Sequence, residues 1–264
     1  MILLSFDIEE FDMPFEYGKN LDFKEQLSVS TEGTLVILNL LKEANIKATF
    51  YCTANYAKNK PDVIMKIVDE GHELASHGYY HSDFKPEHLA LSKQLLEELA
   101  DTPVKGYRMA RMMPVDEKEI QKAGYKYNSS INPTWLPGRY NNFKRPRKWF
   151  WQDDVLQIPS SVSPNIRFPL FWLSFHNLPM FLLKWLSEIT HRKDGYLNLY
   201  FHPWEFTDLH KPEKYGFPGY VMRNTGDDFT ARICEFIRWA QQKGFQFKRT
   251  GDFAADIIQK SRKA

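Results

Sequence analysis

The sequence predicts an α/β fold built on a mainly parallel sheet or barrel, and three observations carry that expectation. Short apolar runs alternate with amphipathic, helix-like segments at short intervals, as repeated strand–helix units do. The strand-like runs end in polar residues, at Asp7, His77, Arg108 and His202, and C-terminal strand ends are where such folds build sites. No internal repeat, low-complexity run or linker interrupts the 264 residues, so one domain spanning residues 1–264 is expected, with an irregular, aromatic-rich insertion at about 135–190.

The elements follow in order. Residues 1–7 (MILLSFD) form an apolar run ending in acid, the pattern of a buried strand. Residues 11–28 carry Pro14, Gly18 and mixed charge and read as a long loop. Ser30 and Thr31 are good N-caps for an amphipathic helix reaching Glu43 through Leu35, Leu38, Leu40 and Leu41. A strand over 46–52 is followed by a helix over 63–70, opened by Pro61 and closed by Gly71. A strand at 73–76, a helix at 86–99, a strand at 104–107, a helix at 116–123 and a strand at 125–129 complete the regular half. Beyond it, 155–159 and 196–201 read as strands, and Pro203 ends the second of these at His202. A helix at 227–243, a short strand at 245–248 and a helix at 253–259 finish the chain.

Bulk properties exclude several function classes. With 35 basic against 33 acidic residues and a formal charge of +2, no basic excess points to nucleic acid or an anionic membrane. Cys52 and Cys234 are the only cysteines, which gives neither a disulfide framework nor a thiolate metal cluster. The opening MILLSFDIEE has no basic leader and reads as strand, not signal peptide, so a cytoplasmic location is expected. Twenty Phe, 13 Tyr and 7 Trp suit either sugar stacking or ordinary cores. Residues 168–186 are the most apolar stretch, but Pro169, His176, Asn177, Pro179 and Lys184 interrupt it. It is not expected to span a bilayer; a buried helical insertion is expected, with peripheral membrane contact the alternative if an apolar face is exposed.

The organising stretch is Gly71 to His81, GHELASHGYYH. His77 and His81 stand four apart beyond a strand; on a helical turn that spacing brings both imidazoles to one face, within reach of one metal ion. A third ligand must come from elsewhere in the fold, and the first strand offers carboxylates. Strand alternation turns Asp7 and Glu9 one way and Glu10 the other. His72, His88, His176, His191 and His210 read as structural histidines.

These residues also carry a resemblance. ATFYCTANYAKNKPDVIMKIVDEGHELASHGYYH resembles the core of the polysaccharide deacetylases, the NodB-homology domain of family-four carbohydrate esterases. SFDIEE is similar to that family's first motif, HGYYH to the metal-binding second, GYRMA to the arginine-bearing third and YFHPWEF to the last. The YFHPWEF ending and TGDD before Phe229 look closest to a branch found with exopolysaccharide or surface-glycan genes. The resemblance implies a distorted, incomplete (β/α) barrel and a metal-dependent enzyme. In it, Asp7 matches the catalytic base, His77 and His81 the metal ligands, Arg108 the arginine paired with the base, and His202 the general acid. Ile8 stands where most relatives have a second aspartate; relatives with an acid two positions on use it as third ligand, which favours Glu9 over Glu10. Asn128 stands where an acid often tunes the catalytic histidine, or that partner lies elsewhere. Arg111 stands where a tyrosine often closes the third motif.

The expected function is therefore removal of N-acetyl groups from an amino-sugar glycan or lipid-linked glycan precursor. Zinc is the first expectation for the metal, although cobalt, nickel and iron suit the same ligands. Trp204, and with it Tyr107 or Trp135, are candidates to stack on a sugar, with core packing the alternative for Trp204. The rival functions are hydrolysis of a small amide or cyclic imide, and a catalytically silent saccharide-binding module. An acetylated saccharide is the expected partner; nothing in the sequence indicates an oligomeric state.

Overall fold

The computed structural model describes residues 1–261. Its strands are β1 (Ile2–Ile8), β2 (Thr49–Cys52), β3 (Glu73–Ser76), β4 (Gly106–Tyr107), β5 (Tyr127–Asn128), β6 (Trp135–Leu136), β7 (Tyr140–Asn141), β8 (Phe150–Gln152), β9 (Val155–Gln157) and β10 (Leu197–Phe201). Eight of them form one sheet in the order β10-β1-β2-β3-β4-β5-β9-β8, and β6 pairs with β7 in a separate hairpin. All neighbours in the large sheet run parallel except β8 against β9.

The sheet curls because its far side is tied back to β10. Ser161 N–H donates to the Asn198 carbonyl at 2.9 Å, and the Asn198 amide donates to the carbonyls of Ile158 and Pro159 at 3.0 and 3.2 Å. A side chain and one backbone bond stand in for the missing ladder, so the barrel is distorted and incomplete, as expected.

Period-2 alternation then sorts every strand. On β1, Leu4, Phe6 and Ile8 point outward into a core shared with the helices, while Leu3, Ser5 and Asp7 point inward. On β2, Phe50 and Cys52 face that outer core and Tyr51 faces the interior; on β10, Leu197, Leu199 and Phe201 face out and Asn198 and Tyr200 face in. The interior is apolar at the N-terminal end of the strands, where Leu3, Ala75, Leu156 and Ile158 meet Phe253, Ala254 and Ile257 of the helix Thr250–Ser261. That helix closes the lower mouth. Polar inward residues gather at the opposite end, which leaves the upper mouth for chemistry.

Several elements differ from expectation. The long helix runs Phe23–Glu43, capped by Asp22, whose side chain accepts the Glu25 N–H at 2.8 Å. Ser30 and Thr31 lie inside it, with their hydroxyls turned to tertiary partners: Ser30 donates to the Glu9 carbonyl at 2.6 Å and Thr31 meets the Tyr56 hydroxyl at 2.8 Å. The expected loop over 11–28 is thus shorter and holds a 3₁₀ turn at Met13–Tyr17. Residues 245–248 form no strand; Phe247 makes a single bridge to Ile2. The apolar stretch at 168–186 forms the helix Trp172–Asn177 and the first half of Met180–Asp194. Phe175, Leu183 and Leu186 are buried, whereas Phe181 and Trp185 are 74% and 57% exposed. Among the described residues no helix is long and apolar enough to cross a membrane.

One glycine fixes how the upper mouth is assembled. Gly33, mid-way along Phe23–Glu43, lets the backbone of Pro203 come so close that an added Cβ would sit 1.8 Å from the Pro203 carbonyl oxygen. The long helix and the turn after β10 therefore touch backbone to backbone.

Candidate active site

The ends of β1 and β3 bring together a carboxylate and two imidazoles. Glu9 Oε2 lies 3.1 Å from His77 Nε2 and 2.9 Å from His81 Nε2, and the three ligand atoms are all within 4.8 Å of one another. Glu10 turns the other way, accepting hydrogen bonds from the Thr53 hydroxyl at 2.7 Å and from the Asn55 amide. Strand alternation decides between the two acids. The two histidines do not share a helical turn: residues 77–81 are a loop, turned by Gly78 at φ +90° and pinned where the Gly78 and Tyr79 carbonyls accept N–H bonds from Ala54 and Asn55 at 2.9 Å. The rings nevertheless lie 6.0 Å apart, interplanar angle 23°.

Outer partners aim both rings. His77 Nδ1 is 2.9 Å from the Arg108 carbonyl, which only accepts, so Nδ1 donates there and Nε2 is the nitrogen turned to Glu9. His81 Nδ1 is 2.6 Å from Asp12 Oδ1. Asp12 also holds the Ser82 hydroxyl and, at 3.3 Å, Arg111. Burial alone would raise the Glu9 carboxyl, yet the charge of His81 and hydrogen bonds from both histidines hold it well below the usual range. Burial opposes charge on His81 as well, but Glu9 and Asp12 push it up to about 10. Converging donors that favour positive charge this strongly fit a divalent cation, which would compete with those protons.

Asp7 stands beside this cluster, one pleat below Glu9. Arg108, fully buried, donates to Asp7 Oδ1 at 2.6 Å and to the Ser5 hydroxyl at 3.0 Å, and its remaining donors go to the Ser129 carbonyl and hydroxyl at 3.1 and 3.0 Å. The guanidinium lies 3.9 Å over the Tyr51 ring, which fixes its plane. Asp7 Oδ2 is left facing the cavity, 4.0 Å from His202 Nε2.

His202 ends β10 on the opposite wall. Its ring stacks on Trp204 at 5.3 Å and 18°, with Trp172 and Tyr200 edge-on at 5.8 and 5.9 Å. Glu205 Oε1 accepts both its backbone N–H at 2.7 Å and its Nδ1–H at 2.8 Å. Burial lowers the His202 pKa, but the Glu205 hydrogen bond and the charges of Glu9, Glu205 and Asp7 outweigh it, and the net direction is upward. Asn128 is not the tuning partner: its amide donates to Gln157 at 3.0 Å within the barrel wall.

Asp7, Glu9, His77, His81 and His202 thus line one cavity of about 280 Å³. Residues 3–127 match the polysaccharide deacetylase family model. Over that segment, just under half of its length, the chain is similar to the polysaccharide deacetylases. The peptidoglycan-N-acetylglucosamine deacetylase of Bacillus cereus is 33% identical over 72 residues, covering 27% of this chain and 22% of that protein. The solved structure of a probable polysaccharide deacetylase from Pseudomonas aeruginosa superposes with a TM-score of 0.69 at 17% identity, over 96% of this chain and 89% of that one. PuuE allantoinase superposes with a TM-score of 0.62 at 20% identity, over 96% and 88%. The matched segments span about a quarter of the curated relatives, and the structural likenesses establish the fold.

The three residues expected to stack on sugar occupy different places around this cavity. Tyr107 is fully buried in the outer core, its hydroxyl on Met109 sulfur at 3.0 Å, and does not line the cavity, because inward alternation passes to Arg108 instead. Trp135 is 62% exposed on the β6–β7 hairpin, and its neighbour Leu136 is the one turned to the cavity. Trp204 does border the cavity but is 1% exposed, packed beneath His202 and against Phe11. The open walls are made by Met13, Tyr17, Leu136, Tyr140, Leu173 and Tyr220. Asp12 and Glu205 escaped the sequence reading, which placed His176 among the structural histidines. For Glu205 a signal exists: an acid at the third position after a histidine and proline satisfies the backbone of a short helical turn, as a capping box does.

Proposed function

We propose that this chain is a metal-dependent N-deacetylase acting on an acetylated amino sugar, within a glycan or a lipid-linked precursor, and that residues 1–264 act as one catalytic domain. The observation that carries the reading is two-sided: Glu9, His77 and His81 converge on one side of the cavity, with a buffered carboxylate and a buffered histidine facing each other next to them. A divalent transition metal held by those three residues, zinc first among the candidates, would activate water and polarise an amide carbonyl.

The other steps belong to the chain's own groups. Asp7, with Oδ1 held by Arg108, keeps Oδ2 free to accept a proton from water attacking the acetyl carbon. His202 is charged through a wider range than an ordinary histidine, so it can deliver its Nε2 proton to the departing amine from the facing wall. Trp204, Trp172 and Tyr200 shield that ring, which keeps bulk water from taking the proton. The walls of Tyr17, Tyr140 and Tyr220 offer ring faces and hydroxyls suited to a sugar.

Elemental analysis of the purified wild type beside His77→Ala, together with acetate release from a panel of acetylated amino sugars and small cyclic amides, tests the reading. Near-stoichiometric metal lost in the variant, with acetate released from sugars, supports it. Turnover confined to cyclic amides would replace the substrate class, and absence of metal after incubation with zinc or cobalt would overturn it.

A further inference from the structure

His176, on the helix Trp172–Asn177, lies outside every motif, yet its surroundings are those of a wired residue. It is fully buried, stacked on Phe229 at 4.2 Å and 17°, with Trp172 edge-on at 5.9 Å. Its Nδ1 lies 2.6 Å from the Arg223 carbonyl, and its Nε2 lies 3.0 Å from Glu205 Oε2. Both ring nitrogens therefore face acceptors. A neutral imidazole carries one proton and can donate to only one of them, whereas a ring that donates to both must carry two.

The neighbouring charged groups do not supply another partner. Arg232, from the helix Asp227–Gln242, donates to the carbonyls of Phe175 and Leu178, and Arg223 offers the ring only its backbone. Asn224 donates to the carbonyl of His176 itself. Among the described residues, Glu205 is the charged side chain in hydrogen-bond contact with the ring. Its other oxygen is the one that takes both N–H groups of His202. A continuous line results: Arg223 carbonyl, His176, Glu205, His202, cavity.

We propose that His176 is a positioning residue for His202, acting through Glu205. By donating to Oε2 it locks the rotation of the carboxylate and limits the negative charge that Oε1 presents to His202 Nδ1. The consequence for catalysis rests on the general-acid role proposed for His202. An acid gripped by an unshared buried carboxylate gives up its proton less readily, so the second histidine keeps the first one acidic enough to work.

The first measurement uses the wild-type protein and needs no substrate: nitrogen-15 correlation spectra of the histidine rings. A proton on His176 Nε2, donated to Glu205, is expected; an Nε2 that carries none overturns the proposal. Two variants then move His202 in opposite directions. In His176→Phe the whole Glu205 charge falls on His202, whose titration and whose alkaline limb of kcat should rise by about one pH unit, with kcat down about tenfold and KM unchanged. In Glu205→Gln the amide oxygen still accepts both His202 N–H groups and the amide N–H donates to His176, a neutral line in which the His176 bond runs the other way, so the His202 titration should fall. An unmoved titration in a folded His176→Phe, whatever its activity, reduces His176 to core packing and overturns the proposal. Absence of deacetylation in the wild type would strike the proposed reaction and leave these titrations as they are.

Discussion

Asp12 Oδ1 lies 2.6 Å from His81 Nδ1, on the opposite edge of the ring from the Nε2 that faces Glu9. An acidic partner there fixes the ring's orientation and raises the basicity of the nitrogen that would bind a metal, and outer partners of this kind typically govern affinity by 10–100-fold. Asp12→Ala should therefore weaken zinc binding by about that factor while leaving the fold intact. Competition against a chromophoric chelator measures it, and an unchanged affinity would make Asp12 a partner of Arg111 and Ser82 only.

Asp7 and Arg108 make a buried pair whose two members should fail differently. Asp7→Asn keeps the shape and the Arg108 contact, leaves Glu9, His77 and His81 untouched, and removes the proposed proton acceptor; metal content should hold and kcat should fall about 10²–10⁴-fold. Retention of full turnover would remove the role given to Asp7. Arg108→Met instead strands a nearly dry carboxylate and should cost about 3–5 kcal/mol in urea unfolding.

The parts of this molecule that were legible from sequence are those written in local periodicity. Alternation along β1 put Asp7 and Glu9 on one face and Glu10 on the other because the strand stays paired to Ile8, whose carbonyl accepts the Thr53 N–H at 3.0 Å. The mainly parallel sheet was legible from another local pattern, the short apolar runs that alternate with amphipathic, helix-like segments. What escaped depends on contacts between distant segments. Ser30 looked like a cap because its hydroxyl suits one, yet it bonds the Glu9 carbonyl, and the helix begins at Phe23. Tyr107 was a candidate to stack on a sugar as an aromatic, yet its adjacency to inward-facing Arg108 is what sends it into the outer core. His176 and Asp12 gain their partners only when elements far apart in sequence meet.

Gly33 supplies a test of how the two walls are held together. Its hydrogen faces the Pro203 carbonyl, and an alanine methyl would sit 1.8 Å from that oxygen, so either the helix or the turn after β10 must move. Overpacking of this kind costs about 1–3 kcal/mol. Because Pro203 follows His202, Gly33→Ala should lower both the melting temperature and kcat, whereas alanine at Gly219, which has no positive φ and nothing within 4 Å, leaves that contact alone. Normal kcat in a Gly33→Ala protein would show that the turn carrying His202 is free to shift.

Acid stability should report on His72, a histidine remote from the cavity. Its Nδ1 accepts the Ala48 N–H at 3.2 Å, its side chain is buried, and its ring meets Phe50 edge-on at 5.2 Å. Burial, with Lys47 adding to it, lowers its pKa to about 4. The neutral ring is the one the fold accommodates, because a proton on Nδ1 would remove the acceptor that Ala48 uses. The folded pKa lies below the unfolded value of about 6.5, so the contribution to stability is fully present above pH 6.5 and is lost as pH falls toward 4. Between those values the unfolding free energy should drop by up to about 1.4 kcal/mol per pH unit from this one group. His72→Asn keeps an acceptor near the Ala48 N–H and cannot titrate, so its unfolding free energy should change less steeply over the same window. Parallel pH dependences for the two proteins in urea unfolding would show that His72 charges without breaking its bond to Ala48.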